Sequence, residues 1–422
     1  MLALLLLVFA VSSIDRQVLT ILIQPIKADL GASDAQLGLL VGFGFTLFYT
    51  LLGLPIARWA DRGTRRTIIA LALAVWSGMT ALSGLAGSYA QLLLARVGVG
   101  AGEAGCVPAS HSLLSDHFPA ERRGRAFSIY ALGVPIGTLC GLLLGGVLAE
   151  ALGWRAVFLV LGLPGLLLAV VVRLALREPP RGQSDAAHGQ AAPPPLGALL
   201  DYLRRRTALR YVLLGAALNA LVYAGIANWA PTHLMRVHGM APGEVGLALG
   251  LLIGLAGGAG TFAGGPLCDR LGRRDARFYA WLPALAALLV LPCAAGFAFS
   301  ASSAAALAWF APLVAAMSFF FGPSVAMSQA LVQPRMRAFT SATYQFTCNA
   351  IGSTGGPLLV GLLNDRLARR LGPDAIRTSL VAVSLVDLGA IALYLRAART
   401  LRADLAANRE AIGNAPAGRH ER

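Results

Sequence analysis

Four charged side chains fall inside apolar runs, where a charge is costly unless it has work to do. Asp15 and Arg16 sit side by side in VFAVSSIDRQVLTILI, residues 8–23, and Arg96 and Glu103 sit seven residues apart in a second apolar run. Seven residues make two helical turns, so Arg96 and Glu103 share one helix face about 10 Å apart along the axis. A charged side chain near the bilayer centre costs roughly 2.5–3.5 kcal/mol on insertion scales. Four of them facing lipid would be prohibitive, so they must face each other or a wet cavity. Two chemistries fit. As paired ions they fix two helices together. As a site, Asp15 and Glu103 exchange protons while Arg16 and Arg96 hold an anion.

The elements that position these residues are built for lipid. The 422 residues are 57% hydrophobic and 13% charged, with mean hydropathy +0.68. Apolar runs of about 20 residues recur throughout. The net charge of +15 does not imply nucleic acid, because the arginines lie in short clusters between apolar segments. Lys27 is the only lysine. Cys106, Cys140, Cys268, Cys293 and Cys348 have no metal-ligand spacing and read as small packing residues. The opening MLALLLLVFAVSS lacks a positive n-region, and its apolar pattern runs past residue 20, so it reads as a spanning helix rather than a signal peptide.

Hydropathy places twelve spans near 2–27, 34–57, 67–87, 90–114, 125–150, 155–176, 209–234, 244–267, 278–299, 304–331, 338–363 and 378–397. Arginine clusters follow spans two, four, six, eight and ten, which predicts that both termini are cytoplasmic. Arg366, Arg369 and Arg370, after span eleven, break that rule. A polar, Pro-rich linker at 177–207 separates a six-span unit at 1–176 from another at 208–400, and the polar tail at 401–422 is expected to be mobile.

The halves repeat each other. ARWADRGTRR (57–66) follows span two and GPLCDRLGRR (265–274) follows span eight, with Asp61 and Asp269 at matched places. The second copy fits every position of the G-x-x-x-D-R-x-G-R-[KR] loop motif of the major facilitator superfamily, which this chain resembles over nearly its whole length. The first copy has Ala57 and Thr64 where that family has Gly. Within the superfamily, DRQ in span one and RVGVGAGEAGCVPAS in span four resemble the Spinster-like transporters. The resemblance implies an all-α membrane fold: twelve transmembrane helices in two pseudo-symmetric six-helix bundles that rock about a central site. It also implies that the matching acid and Arg positions, Asp15, Glu103, Arg16 and Arg96, serve proton coupling and substrate binding.

Further expectations follow from the residues. Asp61 and Asp269 lie at helix ends where a carboxylate can accept from the orphan N–H groups of a neighbouring helix, Asp61 at span eleven and Asp269 at span five. Asp116 is a candidate partner for Arg65 or Arg66. With Arg62, Arg270, Arg273 and Arg274 these residues make a candidate cytoplasmic gate. The competing reading is a set of solvated topology charges. Glycines four apart in span five (Gly133, Gly137, Gly141, Gly145) and span eight (Gly246, Gly250, Gly254, Gly258) predict that these helices meet across the bundle interface. Packing within one bundle is the alternative.

In the second half the candidate cavity residues are Tyr223, Asn228, Trp229, Phe320, Tyr344 and Asn349, a mostly aromatic and apolar wall that would suit an anion with an apolar body. Arg96 is expected nearer the exterior, at an outer gate or as a head-group receptor. Asp387 reads as a packed polar residue, and His111 as a core histidine or a proton relay. No metal, cofactor or enzyme motif is apparent: H-E-x-x-H, G-K-[ST] and a Ser-His arrangement are all missing. The sequence therefore reads as a monomeric, proton-coupled carrier of an amphipathic or other organic anion in a bacterial inner membrane. The alternatives are a carrier of a small organic or sugar acid and a proton-independent lipid path.

Overall fold

The computed structural model of the protein describes residues 1–180, 206–333 and 336–413. Most of the linker, with Arg204 and Arg205, lies outside them, as do Arg335 and residues 414–422; the side chain of Asp61 is also outside the description. Among the described residues all regular structure is helical.

Spans one to six are Leu2–Leu30, Asp34–Val41 continued by Phe48–Arg62, Arg65–Ser83, Tyr89–Glu103 continued by Cys106–His117, Ala120–Ala131 continued by Gly133–Leu152, and Trp154–Ala175. Spans seven to twelve are Thr207–His238, Pro242–Leu252 continued by Gly258–Gly272, Phe278–Phe299, Ser303–Ser318 continued by Phe321–Ala330, Arg337–Thr347 continued by Thr354–Leu371, and Ala375–Ser384 continued by Val386–Gly413. Among the described residues eleven stretches are long and apolar enough to cross a membrane, and the last, Phe339–Asn408, is 70 residues long. It turns at Gly372–Asp374 and so crosses twice. The helix of span twelve continues to Gly413, with Leu401 buried and Asn408 bonded to the Ala330 carbonyl at 3.0 Å. This part of the tail, expected to be mobile, is docked.

The internal repeat reaches down to single caps. Span one ends at Gly31 (φ 62°) and span seven at Gly239 (φ 65°), both in the left-handed conformation that glycine adopts without a Cβ penalty. Two residues on, the Ser33 N–H donates to Gln36 Oε1 (2.9 Å) and the Ala241 N–H to Glu244 Oε2 (3.3 Å), opening spans two and eight alike. Spans two, eight and eleven each carry one wide π turn, at Phe43–Leu47, Ile253–Gly257 and Cys348–Ser353. Such turns re-aim side chains and concentrate at functional sites.

One end of the protein is sealed and the other is open. At the end away from the Asp–Arg loops the two halves share a core that includes Ile26, Leu37, Trp154, Leu234, Val245 and Ile376. Helix backbones touch there: a Cβ on Gly38 would stand 2.3 Å from the Pro357 carbonyl oxygen, and one on Gly246 2.1 Å from that of Leu142. Toward the arginine-rich end the cores separate into one cluster around Trp76, Leu113 and Tyr130 and another around Val212, Leu331 and Tyr394. Gly53, Gly254, Gly258 and Gly265 face open space there.

This corrects the glycine expectation in part. Gly246 and Gly250 of span eight do lie against span five, at Leu142 and Leu139. The span-five stripe instead faces span one of its own half, Gly137 against Ala10 and Ser13, and Gly141 against Ile14 and Gln17. Small residues permit close approach but do not say to which neighbour.

Candidate functional site

Span one sends Ser12 and Arg16, one turn apart, toward span four. Ser12 Oγ donates to Glu103 Oε1 at 2.6 Å, and Arg16 Nε donates to the same oxygen at 2.8 Å; Arg16 Nη2 closes the ion pair. Glu103 is fully buried, while the Arg16 side chain keeps 35% of its surface. Arg16 therefore neutralises a dry carboxylate from behind and faces a cavity in front. Asp15, on the next face of the helix, is buried among spans three and four and accepts from Thr80 Oγ1 at 3.3 Å. Asp15 Oδ1 and Glu103 Oε2 are both buried without a hydrogen-bond partner.

Arg96 is 1% exposed, yet among the described residues no carboxylate is bonded to it. Its Nη2 donates to the backbone carbonyl of Asp15 at 3.4 Å, and its Nε and Nη1 find no partner. It lines the same cavity as Arg16, so it belongs to the central site and not to an outer gate. Phe45 explains how two guanidiniums tolerate each other. The π turn of span two places its ring 5.0 Å from Arg16 Cζ and 5.8 Å from Arg96 Cζ, and Tyr49, one turn on, lies 4.8 Å from Arg16 Cζ. The ring faces offer both cations diffuse negative charge.

The cavity, about 230 Å³, lies between the halves. Its first-half wall is Arg16, Gln17, Leu19, Val41, Phe45, Thr46, Tyr49 and Arg96. Facing it are Tyr223 and Asn228 of span seven and Gln345, Asn349 and Ser353 of span eleven. The last three are each four residues apart, and Gln345 Nε2 donates to Asn349 Oδ1 at 3.2 Å. Of the second-half residues expected at a cavity, Tyr223, Asn228 and Asn349 line this one. Three others do not line the cavity. Trp229 is buried in the shared core and donates to the Pro357 carbonyl at 2.9 Å. Phe320 borders a small void beside Asn219 and Asp387. Tyr344 packs edge-on against Phe321 within the second-half core. The second-half wall is thus carboxamide and hydroxyl, not apolar. Hydropathy gives an aromatic residue on span ten or eleven no facing direction, so the core claimed these rings.

Sequence reasoning missed Phe45, Thr46, Tyr49 and Ser353. All four lie in, or within one turn of, the π turns of spans two and eleven, whose shift in helical phase no simple periodicity reveals. Asp387 accepts from Asn219 Nδ2 at 2.6 Å, and His111 makes ring contacts with Phe127 and Tyr130.

At the arginine-rich end Arg65 is buried and pairs with Asp116, and also with Glu178 at 2.8 Å, a residue just past span six. The Glu178 carboxylate additionally accepts the N–H groups of Arg65 and Arg66, which open span three. Asp269 is bonded by Tyr279 Oη of span nine, within its own half, and not by the start of span five. Arg62, Arg270, Arg273 and Arg274 are exposed. At the sealed end the arrangement is denser. Buried Asp34 accepts from Arg236 Nη1 at 2.8 Å and from Lys27, while Arg236 Nη2 reaches Gln24 at 3.0 Å. Asp365, at the end of span eleven, accepts the N–H groups of Asp34 and Ala35, both at 2.9 Å.

Comparison with known proteins fits this arrangement. The family model described as Major Facilitator Superfamily matches residues 5–357. The chain belongs to that superfamily. It is 37% identical over 399 residues to an MFS-type efflux pump of Mycolicibacterium smegmatis, covering 94% of this chain and 92% of that protein. It is 27% identical to the "Probable L-galactonate transporter" of Escherichia coli over 281 residues, 64% of this chain and 61% of that one. A crystal structure of a bacterial homologue of the human lysosomal transporter Spinster, inward-facing and unoccupied, superposes with TM-score 0.88 at 32% identity, covering 96% and 97% of the two chains. This multi-pass superfamily member is therefore a Spinster-type transporter working by alternating access.

Proposed function

We propose that this transporter couples the movement of a small organic anion to protons, with the anion held by Arg96 and Arg16. The observation that carries this reading is Arg96: a buried guanidinium on the cavity wall with two N–H groups unpartnered. A carboxylate or similar anion would complete its hydrogen bonding. Arg16 links the anion to the protons, because the side chain that faces the cavity also neutralises Glu103. An anion that draws Arg16 forward leaves Glu103 less compensated and so favours its protonation. Asp15 and Glu103 each keep an oxygen to which a proton can add without breaking a contact.

The carboxamide wall of Asn228, Gln345 and Asn349 favours a substrate body rich in hydroxyl groups, since amides both donate and accept. The likeness to a probable L-galactonate transporter points the same way. An amphipathic anion is the second reading, favoured by the apolar strip of Leu19, Val41 and Phe45 beside the arginines. The arginine clusters support cytoplasmic termini and residence in a bacterial inner membrane.

Uptake into proteoliposomes at varied external pH tests the coupling, once thermal stabilisation has identified a ligand from sugar acids, other organic acids and lysolipid-like anions. Asp15→Asn and Glu103→Gln are expected to keep ligand binding and lose the response to a pH gradient. Arg96→Ala is expected to weaken ligand binding at least 10-fold, the scale of a charge-assisted contact. Full pH-driven uptake by the Asp15→Asn, Glu103→Gln double variant would reduce the four charges to a structural network.

A further inference from the structure

A second basic cavity lies outside the transport path. It occupies about 390 Å³ between the start of span nine and the end of span twelve, at the arginine-rich end, and is lined by Arg277, Trp281, Leu395, Ala398 and Arg399. Arg277 Nε is buried there without a hydrogen-bond partner. The acid nearby, Asp275, is already engaged. Its carboxylate accepts Arg402 Nε at 3.1 Å and Nη2 at 2.7 Å, and the Arg277 backbone N–H at 3.0 Å. That backbone hydrogen bond and the Arg402 pair hold the Asp275 carboxyl below the usual carboxylate range. Neither the Arg277 nor the Arg399 guanidinium has a carboxylate partner among the described residues.

The surface toward the bilayer middle continues the site. On span nine, Trp281, Leu285 and Leu288 follow at helical spacing, and the two leucines are exposed. On span twelve, Leu395 lies one turn and Leu388 three turns before Arg399, again with both leucines exposed. Two apolar rails thus lead from a pair of arginines into the hydrocarbon layer. Trp281 stands at the boundary, where an indole is favoured. A cationic head site joined to an apolar track matches one kind of molecule. We propose that this cleft binds a phospholipid of anionic headgroup, its phosphate between Arg277 and Arg399 and one acyl chain along Leu285, Leu288, Leu388 and Leu395. Paired arginines suit a phosphodiester because each presents a fork of donors, and basic pockets between spans at this level hold anionic headgroups.

Native mass spectrometry and thermal unfolding of the full chain in nanodiscs would test this. Phosphatidylcholine discs with and without phosphatidylglycerol are compared, with inorganic phosphate as a separate arm. Wild type is expected to retain phosphatidylglycerol and to unfold at a higher temperature in its presence. The Arg277→Ala, Arg399→Ala variant should unfold like wild type in phosphatidylcholine alone and retain phosphatidylglycerol about 30-fold less, the factor two arginines supply at a membrane surface. Arg277→Lys, Arg399→Lys, which keeps the charge, should recover part of the retention. Equal retention by wild type and the alanine variant would overturn the site. Stabilisation by inorganic phosphate that matches that by phosphatidylglycerol would overturn its assignment to a lipid.

Discussion

The two ends of this transporter use the same parts in opposite conditions. At the sealed end a carboxylate, Asp365, sits on the first N–H groups of span two in the other half, and Asp34 beside it gathers Lys27 and Arg236. At the open end the corresponding carboxylate, Asp269, turns back to Tyr279 of its own half. A helix N-terminus offers unsatisfied donors and a positive dipole, so an acid placed there links two bundles without needing a side-chain partner. The difference implies an exchange. We expect that, when the arginine-rich end closes, Asp269 leaves Tyr279 for a helix start across the interface and Asp365 lets go of span two.

The sharpest way to break the comparison is steric. Gly38 and Gly361 bring spans two and eleven into backbone contact at the sealed end, where a Cβ would stand 2.3 Å from Pro357 O or 2.2 Å from Asp34 O. Gly38→Leu is expected to prevent sealing and hold the protein open on that side. Cysteine labelling from the two sides of the membrane should reverse its preference, with transport lost. Gly254→Leu adds its side chain in open space; it should leave the present state intact and obstruct closure of the other end. The same labelling pattern in both variants would mean that the two ends are not exchanged.

A smaller effect is expected from the caps. Asp365→Ala removes the acceptor for two N–H groups, a loss of about 1–2 kcal/mol by analogy with helix caps. That shifts the balance between the two states roughly 5- to 30-fold toward opening at this end. Asp269→Asn should leave this state nearly unchanged and slow its closure, visible as slower transport with ligand binding intact. If Asp365→Ala left side-specific labelling as in wild type, the cap would carry no share of the seal.

Much of this could be read from the sequence, for physical reasons. Twelve apolar periods and the doubled Asp–Arg loops fix the fold, because lipid leaves the backbone few options. Asp15, Arg16, Arg96 and Glu103 stood out because charge is rare in such segments. Trp229, Phe320 and Tyr344 went astray because an aromatic ring is equally at home in a core, at lipid or in a cavity. Asp365 was hidden in NDRLARR, whose arginines broke the charge rule used to orient the chain. Its role depends on a contact 330 residues away in sequence, which no local pattern carries.

The smallest expected effect concerns Glu178, which anchors the start of the linker to the arginine-rich end. Burial alone would raise its carboxyl, but hydrogen bonds from the Arg65 side chain and from the Arg66 and Arg65 N–H groups hold it below the ordinary glutamate value. A carboxyl depressed in the folded state adds stability that is present above its ordinary value and is lost as pH falls through the folded value. Glu178 is partly exposed, so solvent limits the contribution to about 1 kcal/mol or less. Glu178→Gln should therefore lower the unfolding temperature in detergent by a few degrees at most near neutral pH, and by less as the pH drops below the ordinary carboxylate range. A deficit that stays constant from neutral to acid pH would show that the hydrogen bonds matter and the charge does not. Asp116→Asn should behave differently, because Asp116 is the more buried of the two carboxylates that neutralise Arg65. Its deficit should exceed that of Glu178→Gln at neutral pH, since half of a more deeply buried ion pair costs more to remove.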